Sequence, residues 1–240
     1  MGKIGNQAIH LGIIQCDNVG ETLSPQHGQY PEMFMRLLLK TDPTLKFTLY
    51  DAEQSHLPIH IDACDAYLIT GSRHSVNDDL PWIGVLEELV VKLHAGDKKV
   101  IGICFGHQLV AKALGGKVCK SATGWSVGMS QNQVIQEQPW MTPSCDQVNM
   151  LVSHQDQVLA LPPKANILAS NNTCPIFIMQ IGQSLTIQGH PEFSKAYSQA
   201  LMEHRKDVLG MKKFEQGLQS LALDNDDALI SQWVVNFLRS

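Results

Sequence analysis

Residues 99–116, KVIGICFGHQLVAKALGG, constrain this chain more than any other stretch. Val100, Ile101, Gly102 and Ile103 form a short apolar run with β-branched residues, the pattern of a buried strand. From His107 onward Leu109, Val110, Ala113 and Leu114 recur at helical spacing, and Gly115-Gly116 supplies a left-handed stop. Strand must therefore turn sharply into helix, with Cys104 at the turn between Gly102 and Gly106. Small neighbours suit a strained turn in which strand and helix backbones approach closely. G-x-C-x-G is the cysteine form of a nucleophile elbow. It also puts Cys104 at a helix N-terminus, where unpaired N–H groups favour thiolate over thiol. Taken alone, the pattern also fits a small apolar cysteine at a buried strand end.

A second signal, Gln188-Gly189-His190-Pro191-Glu192, bears on that alternative. His190 and Glu192 are two apart, so on an extended segment both side chains share a face. Pro191 cannot donate to a ladder, which puts the pair at a strand end or exposed edge. An acid beside a histidine fixes its tautomer and stabilises its cation. Cys104, His190 and Glu192 together supply a nucleophile, a base and an orienting group.

Gly102-Ile103-Cys104-Phe105-Gly106-His107-Gln108 with His190-Pro191-Glu192 resembles the class I glutamine amidotransferases, whose elbow reads G-[aliphatic]-C-[large]-G-x-Q and whose base pair reads H-P-E. Thr70-Gly71-Ser72 and Ser153-His154-Gln155-Asp156-Gln157-Val158 match as well. The resemblance runs in order over about residues 9 to 193, and it is nearest the stand-alone, GMP-synthase-like branch that includes plant γ-glutamyl peptidases. It implies attack by Cys104 on the side-chain amide of glutamine, a γ-glutamyl thioester and release of ammonia. His190 would protonate the leaving nitrogen and then activate water, with Glu192 holding it in the productive tautomer. The backbone N–H groups of Gly71 and Phe105 are the expected oxyanion donors. Ser72, Gln108, Ser153 and His154 are the expected substrate-binding residues, and His107 is assigned no role. The chain shows neither a G-x-x-x-x-G-K-[ST] loop nor a Ser-Gly-Gly-x-Asp-Ser run, so the ammonia would need a separate synthetase subunit. The alternative is a stand-alone hydrolase of γ-glutamyl amides or peptides. A second alternative keeps the fold as a regulatory or redox-sensing module without turnover.

The remaining sequence gives the scaffold. Residues 9–19 read as a first buried strand, 20–28 as a loop, and Pro31 as the first turn of a helix bearing Met33, Phe34, Leu37 and Leu38. Residues 47–50 and 66–69 read as further strands, and 81–95 as a periodic helix stopped by Gly96. This alternation predicts an open, mostly parallel α/β sheet with helices on both faces, flavodoxin-like, with Gly71 and Cys104 on the rim where ligands bind. From Trp125 to Gln188 short strands separated by turns predict an antiparallel extension of the sheet, with SHQDQV as a rim loop. Ser194 can cap a helix running to about Leu209, and a last helix starts at Asn225 with the stripe Leu229, Ile230, Trp233, Val234 and Phe237. The expected organisation is one domain over 1–240, with 194–240 a C-terminal helical extension.

At 240 residues with a net charge of −5, the chain gives no electrostatic reason to expect nucleic acid or an anionic membrane. No apolar run reaches the ~20 residues of a span. The N-terminal MGKIGNQAIHLGIIQ is unlike a secretory signal, and Asn6 stands where myristoylation wants Ser or Thr. Six scattered cysteines without a C-x-x-C pair favour reduced thiols in the cytoplasm and argue against structural zinc. No metal and no cofactor is expected. The expected partner is a small molecule, glutamine or a γ-glutamyl compound.

Overall fold

Short β-branched runs that are apolar on both faces can only be satisfied in the middle of a sheet. The computed structural model, which describes residues 8–240, builds its centre from such runs. The reading of the first seven residues as carrying no export or acylation signal lies outside the described residues. Strand β1 (His10–Gln15) leads through the short α1 (Ser24–His27) to α2 (Tyr30–Thr41) and β2 (Lys46–Asp51). Then come β3 (Ala66–Ile69), α3 (Pro81–Ala95), β4 (Lys99–Ile103) and α4 (Phe105–Ala113). The second half contains β5 (Lys117–Lys120), β6 (Ser126–Val134), β7 (Gln147–His154), β8 (Asp156–Ala160), β9 (Asn166–Ser170), β10 (Ile178–Ile181) and β11 (Ser184–Ile187). Four helices follow, α5 (Lys195–His204), α6 (Lys206–Leu209), α7 (Met211–Ser220) and α8 (Asp227–Arg239).

The nine-stranded sheet has the order β2-β1-β3-β4-β11-β10-β9-β6-β7. The first five are parallel to one another, and the last four continue the sheet in antiparallel fashion. The parallel part has the flavodoxin-like order, in which ligands sit beyond the carboxyl ends of the strands. On one face Phe34 and Leu38 of α2 and Trp233, Val234 and Phe237 of α8 cover Leu11, Leu68 and Ile101. On the other, Ile83, Leu86 and Val90 of α3 and Leu109 and Val110 of α4 cover Tyr67, Ile69 and Val100. A third cluster joins α5 to the antiparallel half, with Phe193, Tyr197 and Leu201 against Met129 and Leu151.

Five details differ from the sequence reading. The 20–28 segment contains the helical turn α1, which Pro25 starts and Gly28, at φ 82°, ends. SHQDQV is a tight corner with only Gln155 between β7 and β8, because Asp156–Ala160 pairs with β5 in a separate two-stranded ribbon. The helix capped by Ser194, whose hydroxyl accepts from Tyr197 N at 3.0 Å, breaks at Arg205 into α5 and α6. The last helix begins at Asp227 because the Asp226 carboxylate is held by Asn149 N at 2.7 Å. Helix α7 has no counterpart in the sequence reading: it buries only Phe214 and Gly217 and so carries no wide apolar stripe.

Candidate active site

Cys104 stands where β4 becomes α4, with φ 51° and ψ −97°. A side-chain-bearing residue in the left-handed half of φ space is strained, and the surrounding structure must hold it there. Three backbone hydrogen bonds do so. Cys104 N donates to Ile187 O of β11 at 2.8 Å, Gln108 N to Cys104 O at 3.0 Å, and Gly106 N to Thr70 O at 3.2 Å. The flanking glycines are needed for space: a Cβ at 102 would lie 2.6 Å from Gly106 O, and one at 106 would overlap Ile69 O. The helix begins at Phe105, two residues before its apolar periodicity becomes readable, so Phe105 N–H is its first amide and has no intrahelical partner.

His190 and Glu192 lie just past the end of β11, on the adjacent strand. His190 N donates to Leu151 O at 2.8 Å, which ties the segment to β7. The Glu192 side chain is fully buried, and its Oε1 takes the hydrogen bond of His190 Nδ1 at 2.7 Å. Phe193 stacks on the imidazole, with ring centroids 3.9 Å apart and planes 9° apart. Burial alone would expel the imidazolium. The Glu192 charge, the Cys104 charge and hydrogen bonds to both outweigh it, raising His190 to about 10. Gly71 closes the group: a Cβ there would lie 2.9 Å from His190 Cε1 and 3.6 Å from Cys104 Cβ. No acceptor among the described residues takes the Gly71 N–H.

A cleft of about 260 Å³ opens over these residues at the carboxyl ends of the parallel strands. Gly71, Ser72, Cys104, Phe105, Gln108, Ser153, His154 and His190 all line it, whereas Glu192 sits behind His190. Gln108 is buried, not solvent-facing: its Nε2 donates to Asp156 O at 2.8 Å and to Gln188 Oε1 at 3.1 Å. His154 is held by Asp156 O at 3.0 Å, and burial lowers it to about 4, so it is neutral at physiological pH. Ser72 Oγ accepts from His74 N at 3.1 Å. His107 points into the core, bonded to Thr186 Oγ1 at 2.8 Å and lowered by burial to about 3. Sequence reasoning missed Tyr30, Trp125, Phe193 and Arg205, which complete the wall. Phe193 could have been found from its place next to Glu192. The others come from distant segments and carry no local signal.

The family model of Glutamine amidotransferase class-I matches residues 26–206, three quarters of the chain, and so spans the elbow and the His190–Glu192 pair. The chain is a class I glutamine amidotransferase family member. Within that family it is 36% identical over 163 residues to γ-glutamyl peptidase 3 of Arabidopsis thaliana. That match covers 65% of this chain and 64% of the peptidase, a little under two thirds of the relative's length. It is 29% identical over 185 residues to a glutamine-hydrolyzing GMP synthase subunit of Pyrococcus furiosus, covering 76% of this chain and 90% of that one. A glutamine amidotransferase crystal structure from Thermotoga maritima superposes with a TM-score of 0.78 over 97% of this chain and 99% of that one, at 16% identity. At that identity the likeness speaks for the shared class I glutamine amidotransferase fold alone.

Proposed function

We propose that this family member cleaves the γ-glutamyl C–N bond of a small amide through a covalent intermediate on Cys104. The observation that carries this reading is the elbow cysteine beside an imidazole kept cationic by a buried carboxylate at 2.7 Å. The Cys104 thiolate adds to the amide carbon, and the oxyanion takes hydrogen bonds from the N–H groups of Gly71 and Phe105. Loss of one such donor typically costs about 3 kcal/mol of transition-state stabilisation. His190 gives its proton to the departing nitrogen, which leaves as ammonia or an amine, and the thioester remains. Water then attacks that carbonyl while His190 takes a proton back, releasing the glutamyl acid and the thiolate. Glu192 keeps Nδ1 protonated and stabilises the cation throughout.

Two departing groups suit this chemistry. The likeness to γ-glutamyl peptidase 3 favours an amine, in a free-standing hydrolase of γ-glutamyl peptides. The likeness to a glutamine-hydrolyzing GMP synthase subunit favours ammonia, in a glutaminase working beside a separate synthetase. Incubating the purified protein with glutamine, glutathione and γ-glutamyl dipeptides, and assaying ammonia and free amine together, separates the two. Amine release at about 1 per second or faster supports the free-standing hydrolase. Ammonia release confined to samples containing a co-purifying synthetase overturns it.

A further inference from the structure

The cleft is lined by three side chains with permanent positive charge, and they are held differently. Arg73 is paired with Asp17 at 2.8 Å and is largely exposed, so its charge is already answered. Lys120 is exposed at the end of β5. Arg205 is partly buried and fixed by two neutral groups. One guanidinium nitrogen donates to Ser153 Oγ at 2.8 Å, and the guanidinium carbon stands 5.5 Å from the centre of the Trp125 ring. Among the described residues no carboxylate pairs with it.

The backbone shows why the side chain stays put. Arg205 caps both helices, closing α5 and opening α6: its N–H donates to Leu201 O at 3.1 Å, and its carbonyl accepts from Val208 N and Leu209 N at 3.0 Å each. The helix break that the sequence did not announce therefore occurs at the residue aimed into the cleft. A fixed guanidinium without a counter-ion in a partly dry wall bears a desolvation cost that an arriving anion relieves. Its planar fork carries five N–H donors, of which Ser153 occupies one, leaving an edge suited to a carboxylate.

Its position tells which carboxylate. His190 delivers its proton to the departing nitrogen, so that half of the substrate leaves past His190. Behind His190 stands an aromatic wall: Phe193 stacks on it, Tyr30 lies 6.2 Å from Phe193, and Tyr197 lies 4.6 Å from Phe193. Burial raises the phenols of Tyr30 and Tyr197, and the Arg205 charge opposes that rise at both, so the guanidinium is within electrostatic reach of this wall. We propose that Arg205, oriented by Ser153 and Trp125, docks the carboxylate of the departing half of a γ-glutamyl peptide. This specificity role rests on the Cys104 hydrolase reading and narrows it: glutamine, whose leaving group is ammonia, has no carboxylate on its departing half.

The test compares a γ-glutamyl dipeptide bearing a free terminal carboxylate with the same dipeptide as its terminal amide. A hydrogen bond to a charged group is worth about 1.5–3 kcal/mol, so the wild type should prefer the acid about 10- to 100-fold in kcat/KM, chiefly through KM. In Arg205→Gln that acid-to-amide ratio should collapse towards one, and in Ser153→Ala it should fall part of the way. A wild-type ratio near one, or an unchanged ratio in Arg205→Gln, overturns the proposal. A damaged fold would lower both substrates together and leave the ratio intact, so the ratio isolates the role of the charge. Absence of turnover on either dipeptide counts against the hydrolase reading itself. In that event calorimetric binding of the two dipeptides to Cys104→Ala, with and without Arg205→Gln, still decides whether Arg205 reads the carboxylate.

Discussion

Glu192 has no access to solvent and spends one carboxylate oxygen on His190 Nδ1, so its charge acts on the imidazole without a water screen. Glu192→Gln keeps the volume and removes the charge. Turnover should fall about 100- to 10,000-fold with the fold and substrate affinity retained, a range typical of acid–base contributions. Steady-state kinetics on the folded variant checks this, and activity within about threefold of wild type would remove Glu192 from the mechanism. At this scale the sequence was most informative where the chemistry is local. The elbow glycines, the two-residue spacing of His190 and Glu192, and the rim position of Gly71 were all legible. What was not legible depends on segments meeting across the fold. Ser153, expected to bind substrate, lines the cleft, and the guanidinium its hydroxyl holds belongs to Arg205, 52 positions away. Trp125, just before β6, and Arg205, just after α5, come together only because α5 packs on β6 and β7.

Helix α3 and strand β3 have the bounds that their sequences predict. The first begins at Pro81 and stops at Gly96, and every residue of the second is buried. The elements that escaped prediction lack such punctuation. Arg205 interrupts a helix without Gly or Pro, and α7 is helical with little to bury. The elbow itself is held by steric limits that glycine scanning can expose. Gly102→Ala would press a methyl against the Gly106 carbonyl and should cost about 1–3 kcal/mol, as overpacking does, with activity lost as the elbow shifts. Gly84, exposed at the end of the first turn of α3 with open space around it, is the matched control. Gly84→Ala should stabilise by about 0.5–1 kcal/mol and leave turnover alone. Thermal melts of the two variants should move in opposite directions, and a shift of the same sign in both would count against a sterically closed elbow.

Across the whole molecule, three buried histidines set opposing pH dependences. His107 and His154 are lowered from 6.5 to about 3 and about 4, chiefly by burial. Their contribution is complete above about 6.5 and is lost as pH falls towards those values, because the unfolded chain then binds more protons. His190 is raised to about 10, so its contribution is complete below about 6.5 and is lost as pH rises towards 10. Stability should therefore peak near neutrality, each histidine adding at most about 1.4 kcal/mol per pH unit to its limb. Denaturant midpoints measured from pH 5 to 9.5 check the shape. Glu192→Gln should flatten the alkaline limb alone, and a wild-type profile without an alkaline fall would contradict the buried cation. The same environment makes Cys104 the thiol expected to react. Burial pushes Cys174 up to about 12 and also raises Cys16, Cys64 and Cys145 above the ordinary thiol range. The most direct test of the central claim is labelling with an electrophilic analogue of glutamine, followed by peptide mass mapping. One adduct per chain on Cys104, formed much more slowly in His190→Ala, is the expected result. An adduct on another cysteine such as Cys119, or equal labelling of Cys104 in His190→Ala, would contradict it.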